Sequence, residues 1–267
     1  MITQGTDLPV WSHAKAQLIA EYLRLFVLIT KHGTYIDGFA GPQANEECWS
    51  ARHVLELSPP RLRHFFLCDA APTAVRQLED LRDAHPGRDI HILGPGDFNL
   101  LVDGILDPAV IGEKEATFCL LDQRTFECRW ETVVKLARFK AEARYKIELF
   151  YFLANAWLDR AIAASTTLDG QAQVSAWWGS ADWQVLRGQH HVKRAELVAE
   201  RFRTELGYRY AVPREIYHDE QGTRVMYYMI HASDHPDAPN LMARAYASAV
   251  RPPAPLEPDL FPDFDMG

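Results

Sequence analysis

Apolar positions Ala16, Ile19, Ala20, Leu23, Phe26 and Val27 recur at helical spacing, which predicts an amphipathic helix over Ser12 to Lys31. Thr34-Tyr35-Ile36-Asp37 then reads as a short buried strand running into the turn Gly38-Phe39-Ala40-Gly41-Pro42. A helix over Ser50 to Leu57 follows, stopped by Ser58-Pro59-Pro60. The alternation then repeats. Strands are predicted over His64 to Asp69, Asp89 to Leu93, Thr117 to Asp122 and Lys146 to Leu153. Between them stand helices over Thr73 to Asp83, Phe98 to Leu106 and Trp130 to Ala143.

Strand–helix alternation of this kind implies a parallel sheet with helices on both faces. The near-continuous apolar runs agree with burial on both sides, and Thr117 to Asp122, the most apolar, should be central. From Asn155 to Leu206 the pattern is helical only, which reads as a helical insertion over about 155–206. Arg209 to Tyr217 and Val225 to Ala232 alternate as strands around Asp219-Glu220-Gln221-Gly222, a hairpin signal, and a last helix spans Pro239 to Val250. Five parallel strands plus a terminal hairpin is the plan of a Rossmann-like α/β sheet of the class I methyltransferase kind. The expected organisation is a single domain over 1–251 and an acidic, proline-rich tail over 252–267, read as extended or disordered.

Composition narrows this picture. The chain has 267 residues, 48% hydrophobic and 24% charged, which suits one soluble α/β domain. Its longest apolar run, Leu23 to Thr30, is broken by Arg24 and is too short for a ~20-residue membrane span. Met1 to Pro9 has one acid and no basic residue, so no signal peptide is expected. Cys48, Cys68, Cys119 and Cys128 form no Cys-x-x-Cys pair, which argues for reduced thiols in a cytoplasmic protein. Half of the net charge of −8 lies in the tail, on Glu257, Asp259, Asp263 and Asp265. The remaining −4 is not the basic footprint of a protein that grips duplex DNA by its phosphates.

The candidate chemistry lies at the strand ends, where open α/β sheets bind ligands. Four acids stand there: Asp37, Asp69, Asp97 just beyond its strand, and Asp122. Such a rim suits an adenosine-containing ligand. The acid after the second strand accepts from ribose hydroxyls, the third from the adenine amino group, and the fourth faces the reacting atom. Glycines at 38 and 41 permit φ > 0 and close backbone approach. The turn departs from G-x-G-x-x-G, and Asp37 would repel a pyrophosphate, so a nicotinamide dinucleotide is disfavoured. The ammonium of S-adenosylmethionine would suit it.

The phrases Tyr35-Ile36-Asp37-Gly38-Phe39-Ala40-Gly41-Pro42 and Phe118-Cys119-Leu120-Leu121-Asp122-Gln123-Arg124-Thr125-Phe126-Glu127-Cys128 resemble the three-Cys-motif partner proteins. So do Trp177-Trp178-Gly179-x-x-Asp182-Trp183 and Ala232-Ser233-Asp234-His235-Pro236. The resemblance, from Trp11 to Met242, implies a class I methyltransferase-like fold and a bacterial partner protein with three cysteines, like radical-S-adenosylmethionine enzymes. It supplies no substrate. The turn also resembles the cofactor loop of DNA and RNA methyltransferases. That likeness implies Asp37, Phe39 and Gly41 beside the methionyl group, Asp69 on ribose and Asp97 on adenine, with Gly38 and Ala40 as the other cofactor-binding positions of the turn.

Amino-methylating enzymes carry an Asp/Asn-Pro-Pro-aromatic turn after the fourth strand. Here Asp122 is kept, while Gln123 and Arg124 replace the prolines. Asp122 and Gln123 are therefore the candidates for aligning a methyl acceptor, a nucleic-acid base or modified nucleotide, with Phe126 as a stacking surface. Cys128 lacks the Pro-Cys context of a cytosine-ring nucleophile and reads as a buried structural thiol. Arg124 and Glu127 read as a pair on the loop, and the tryptophans of the insertion as packing. Lys15 and Arg24 could face the cofactor rim, with a solvated helix face as the default for both. The loop spacing of His231 and His235 argues against a metal site, and no metal is expected. Two other readings stand beside the transferase: a binding or regulatory subunit for the three-cysteine partner, and a nuclease with Asp122 and Glu127 as metal ligands.

Overall fold

The structure, a computed structural model, describes residues 10–42, 46–143, 145–218, 222 and 224–250. The predicted tail and most of the predicted hairpin turn lie outside the described residues. Seven strands form one sheet: β1 Gly33–Asp37, β2 Leu62–Cys68, β3 Asp89–Leu93, β4 Thr117–Leu121, β5 Glu148–Leu153, β6 Tyr210–Tyr217 and β7 Val225–Ser233. Their spatial order is β3-β2-β1-β4-β5-β7-β6. The first five run parallel, and β7 lies antiparallel to both β5 and β6. This is the class I methyltransferase-type Rossmann-like sheet the alternation implies, with β4 at its centre.

The helices are α1 Val10–Thr30, α2 Ser50–Leu55, α3 Pro72–Asp83, α4 Phe98–Ile105, α5 Trp130–Phe139, α6 Asn155–Ala164, α7 Leu168–Trp178, α8 His191–Thr204 and α9 Ala238–Ala249. The stretch expected to be a helical insertion holds α6, α7, a 3-10 turn over Trp183–Leu186 and α8. No described helix is long and apolar enough to cross a membrane.

Every residue of β1, β4 and β5 is buried, because each strand carries apolar groups on both faces. Tyr35, Phe65, Phe118, Phe150 and Phe152 point to one side, where α1, α2, α3 and α9 cover them. Ile36, Phe66, Cys119, Leu121, Leu149 and Tyr151 point to the other, under α4, α5, α7 and α8. On the first side Tyr35 stacks on Phe118, centroids 6.0 Å apart, and Phe118 meets the edge of Phe150 at 4.6 Å. Two apolar cores thus sandwich the sheet. Strand order reverses between β1 and β4, the place where open α/β sheets bind ligands, and the four candidate acids stand along this carboxyl edge of the sheet.

Candidate functional site

Asp37 ends β1 and is 1% exposed. Its carboxylate accepts from the Phe39 backbone N–H at 3.1 Å and the Tyr35 hydroxyl at 2.9 Å. Burial is the largest influence on it and raises its pKa. The two hydrogen bonds oppose burial and the Asp122 and Asp69 charges add to it, leaving the carboxyl pushed up to about 7. The same charges show that Asp37, Asp69 and Asp122 share one locality.

The turn after Asp37 is held at several points. Gly38 N–H donates to the Leu120 carbonyl at 3.1 Å, and Ala40 N–H to that of Cys68 at 2.7 Å. Gly41 N–H donates to Asp69 Oδ2 at 2.9 Å. The expectation of positive φ at Gly38 and Gly41 is not met, since neither is among the positive-φ residues of the chain. Space is the reason for glycine. A Cβ on Gly38 would fall 2.7 Å from the Phe98 ring, and one on Gly41 would fall 2.3 Å from Asp69 Oδ2.

Gly41→Ala should therefore push the Asp69 carboxylate aside and destabilise the fold by roughly 1–3 kcal/mol. Gly112→Ala, with nothing within 4 Å of its Cβ, serves as a matched control. Equal unfolding midpoints in urea for the two variants would refute the close approach.

Asp69 Oδ1 accepts the Ala71 N–H at 2.8 Å, so each oxygen holds one backbone donor. A carboxylate offers about four acceptor positions, which leaves roughly two for a ligand. Gly94 lies against this residue with φ +129°, and a Cβ there would meet the Asp69 carbonyl at 2.5 Å. Asp97 has a structural duty: it caps α4, accepting from the Asn99 N–H at 2.9 Å and from the Asn99 amide at 2.6 Å. Its other oxygen faces Arg129 at 3.3 Å.

At the end of β4, Asp122 forms a buried two-oxygen pair with Lys15 Nζ, at 2.6 and 2.7 Å. The two side chains are 6% and 7% exposed, Lys15 first. The ammonium also lies 4.4 Å from the Tyr227 ring centroid and 5.0 Å from that of Phe152. The default solvated face of Lys15 is thus corrected in favour of the rim-facing alternative: the first turns of α1 set the cation in a box of one carboxylate and two rings. Arg24, in contrast, pairs with Glu21 at the surface.

Beyond Asp122 the loop is tied inward. Gln123 is 1% exposed, and its Oε1 accepts the Cys128 N–H at 3.0 Å. Glu127 accepts from the backbone N–H groups of Arg124 and Thr125, at 2.6 and 2.9 Å, not from the Arg124 side chain. Phe126 packs on Trp177, centroids 5.0 Å apart, and does not stand out as a stacking surface. Cys128 is fully buried, and burial pushes its thiol up, away from nucleophilic character. Trp177, Trp178 and Trp183 are buried, the packing role read from the sequence. His231 is buried against Glu148 at 3.1 Å on β7. Asp122 and Glu127, each bound to its own partner, do not converge as metal ligands.

Two residues that the sequence did not single out organise the site. Asn99 joins α4 to the β4–α5 loop: its amide donates to Asp97 and to the Glu127 carbonyl, and its oxygen accepts from Arg129 N–H and the Thr132 hydroxyl. Arg129 connects Asp97 with a cleft of about 550 Å³ lined by Trp130, Ser175, Gly179 and Ser180. The pattern Asp97-x-Asn99 at a helix start was the available signal for the first, through its capping geometry.

No protein-family profile and no curated protein matches this chain. Solved structures similar to it include M. jannaschii TYW2 in complex with AdoMet, 13% identical over 81% of this chain and 75% of that one, TM-score 0.42. The CurJ carbon methyltransferase is 13% identical over 76% of this chain and 49% of that one, TM-score 0.42. Trm5b from Pyrococcus abyssi is 14% identical over 79% and 47%, TM-score 0.36. The chain spans about half the length of the last two. The strand order, not this likeness, carries the fold assignment.

Proposed function

We propose that this chain binds S-adenosylmethionine above β1 and β2 and transfers its methyl group to a nucleic-acid base or modified nucleotide. One observation carries the reading. Asp69, at the carboxyl end of β2 next to that of β1, keeps two acceptor positions beside a turn that only glycine at position 41 can bring so close. Two acceptors on one carboxylate suit the paired hydroxyls of a ribose. Asp97 retains an acceptor position for an amino group. Asp37, with Gly38, Phe39, Ala40 and Gly41, forms the methionyl end, where an ammonium would offset a buried acid.

The bound cofactor supplies an electrophilic methyl group on a sulfonium. The chain's part is placement, because displacement at that carbon needs little proton transfer. In this reading Asp122 acts through its pair with Lys15, holding the acceptor side of the crevice rigid and near neutral. Gln123 serves the same end by fixing the loop through Cys128.

The Lys15–Asp122 pair also favours a second reading. With the fourth-strand acid already neutralised, the rim suits a subunit that binds the adenosyl ligand without turning it over. That is the role expected of a regulatory partner for the three-cysteine protein of the resemblance. Titration with S-adenosylhomocysteine by calorimetry tests the binding common to both. Saturable binding lost in Asp69→Ala is expected, and no binding at millimolar ligand would refute both. Transfer of labelled methyl to bulk RNA or DNA then separates them.

A further inference from the structure

We propose that His64, Asp89 and His91 form a divalent transition-metal site at the amino-terminal corner of the sheet, with zinc the natural occupant. Strand register builds it. His64 on β2 lies directly opposite Asp89, the first residue of β3, and His91 is two residues further along β3, so the three side chains share one face. Their donor atoms all lie within 4.8 Å of one another. His64 Nδ1 is 2.6 Å from Asp89 Oδ2, and His91 Nε2 is 3.0 Å from Asp89 Oδ1.

Tetrahedral zinc with bonds of about 2.1 Å separates its ligands by about 3.4 Å. Small side-chain rotations would open the triad to that spacing. The frame is stiff: His91 stacks on Phe66, centroids 4.9 Å apart and planes 14° from parallel, and both strands are paired through the ladder. Two imidazoles and one carboxylate are the donor set that zinc takes with water in its fourth position. The neighbouring cations turn elsewhere. Arg63 reaches toward Glu115 at 3.9 Å, and Arg88 lies 4.9 Å over the Phe65 ring on the opposite face.

His64 precedes the carboxyl end of β2 by four residues, about 13 Å at ~3.3 Å per residue, so the triad is separate from the proposed adenosyl crevice. Its failure would leave that reading untouched.

Calorimetric titration of the full chain with zinc is expected to show one saturable site per chain. Asp89→Asn and His91→Ala should each weaken it about tenfold or more. Because the chain has eleven histidines, His190→Ala is the control, its ring lying 4.1 Å from that of His191. Cobalt in place of zinc should give the strong visible bands of a tetrahedral ion, lost in His91→Ala. Absence of saturable zinc binding would overturn the proposal, as would affinity unchanged in Asp89→Asn and His91→Ala.

Discussion

Lys15→Met should lower the unfolding free energy by roughly 3–5 kcal/mol, the usual cost of leaving one member of a buried ion pair without its partner. Methionine keeps most of the length and apolar character of the lysine stem, so packing against Phe152 and Tyr227 survives while the ammonium is lost. The Asp122 carboxylate is then stranded with about one-fourteenth of its surface in water. It must either recruit water or take up a proton. The double variant Lys15→Met/Asp122→Leu removes both charges and should recover most of the loss, since a buried pair often contributes little beyond its apolar replacement. Urea unfolding of wild type, both singles and the double completes the cycle. A loss below about 1 kcal/mol for Lys15→Met would show a solvated pair instead. The same variants bear on function: if Asp122 serves a methyl acceptor only through Lys15, Lys15→Met and the double should share one transfer rate.

How far this site could be read from the sequence depends on how local each interaction is. The strands were legible because β1, β4 and β5 are apolar on both faces, and Asp37, Asp69 and Asp122 marked the carboxyl ends of β1, β2 and β4. The burial of Cys128 was legible too, from the absence of a Pro-Cys pair. The partner of Lys15 was not, because it is 107 residues away and only the packing of α1 on the sheet brings the two together. The His64–Asp89 contact was hidden likewise: it exists through the β2–β3 register, which nothing local to either strand specifies. Of the two reasons read for Gly41, close approach holds and positive φ does not. A glycine in a turn suggests φ > 0, but here the missing Cβ matters, and the atom it makes room for belongs to Asp69, 28 residues on. Gln123 and Glu127 looked like chemistry because they are polar and clustered. In fact they bond to the loop's own backbone, the commonest use of polar side chains near turns.

Asp37→Asn should stabilise the protein in the absence of ligand, and the gain should grow with pH. The reason is the sign of the perturbation. In the unfolded chain Asp37 titrates near 3.9, whereas in the fold burial pushes it up to about 7. Between those values the native state binds more protons than the unfolded one, so stability is fully present below the lower value and is lost as pH rises through the upper. Asparagine carries no proton to lose. It can still accept the Phe39 N–H through its oxygen and donate to the Tyr35 hydroxyl. The stability difference between variant and wild type should therefore increase by about 2 kcal/mol or more from pH 5 to pH 8, read from urea unfolding at each pH. The same substitution should act in the opposite sense on the proposed ligand, with S-adenosylhomocysteine binding at least about tenfold weaker, or 1.4 kcal/mol. Below pH 7 an ammonium drawn toward Asp37 must expel its proton, so the wild-type binding heat should depend on the buffer's ionisation enthalpy and the variant's should not. A stability gain independent of pH would mean that Asp37 is charged in both states. Equal buffer dependence in the two proteins would move the methionyl end of the ligand away from Asp37.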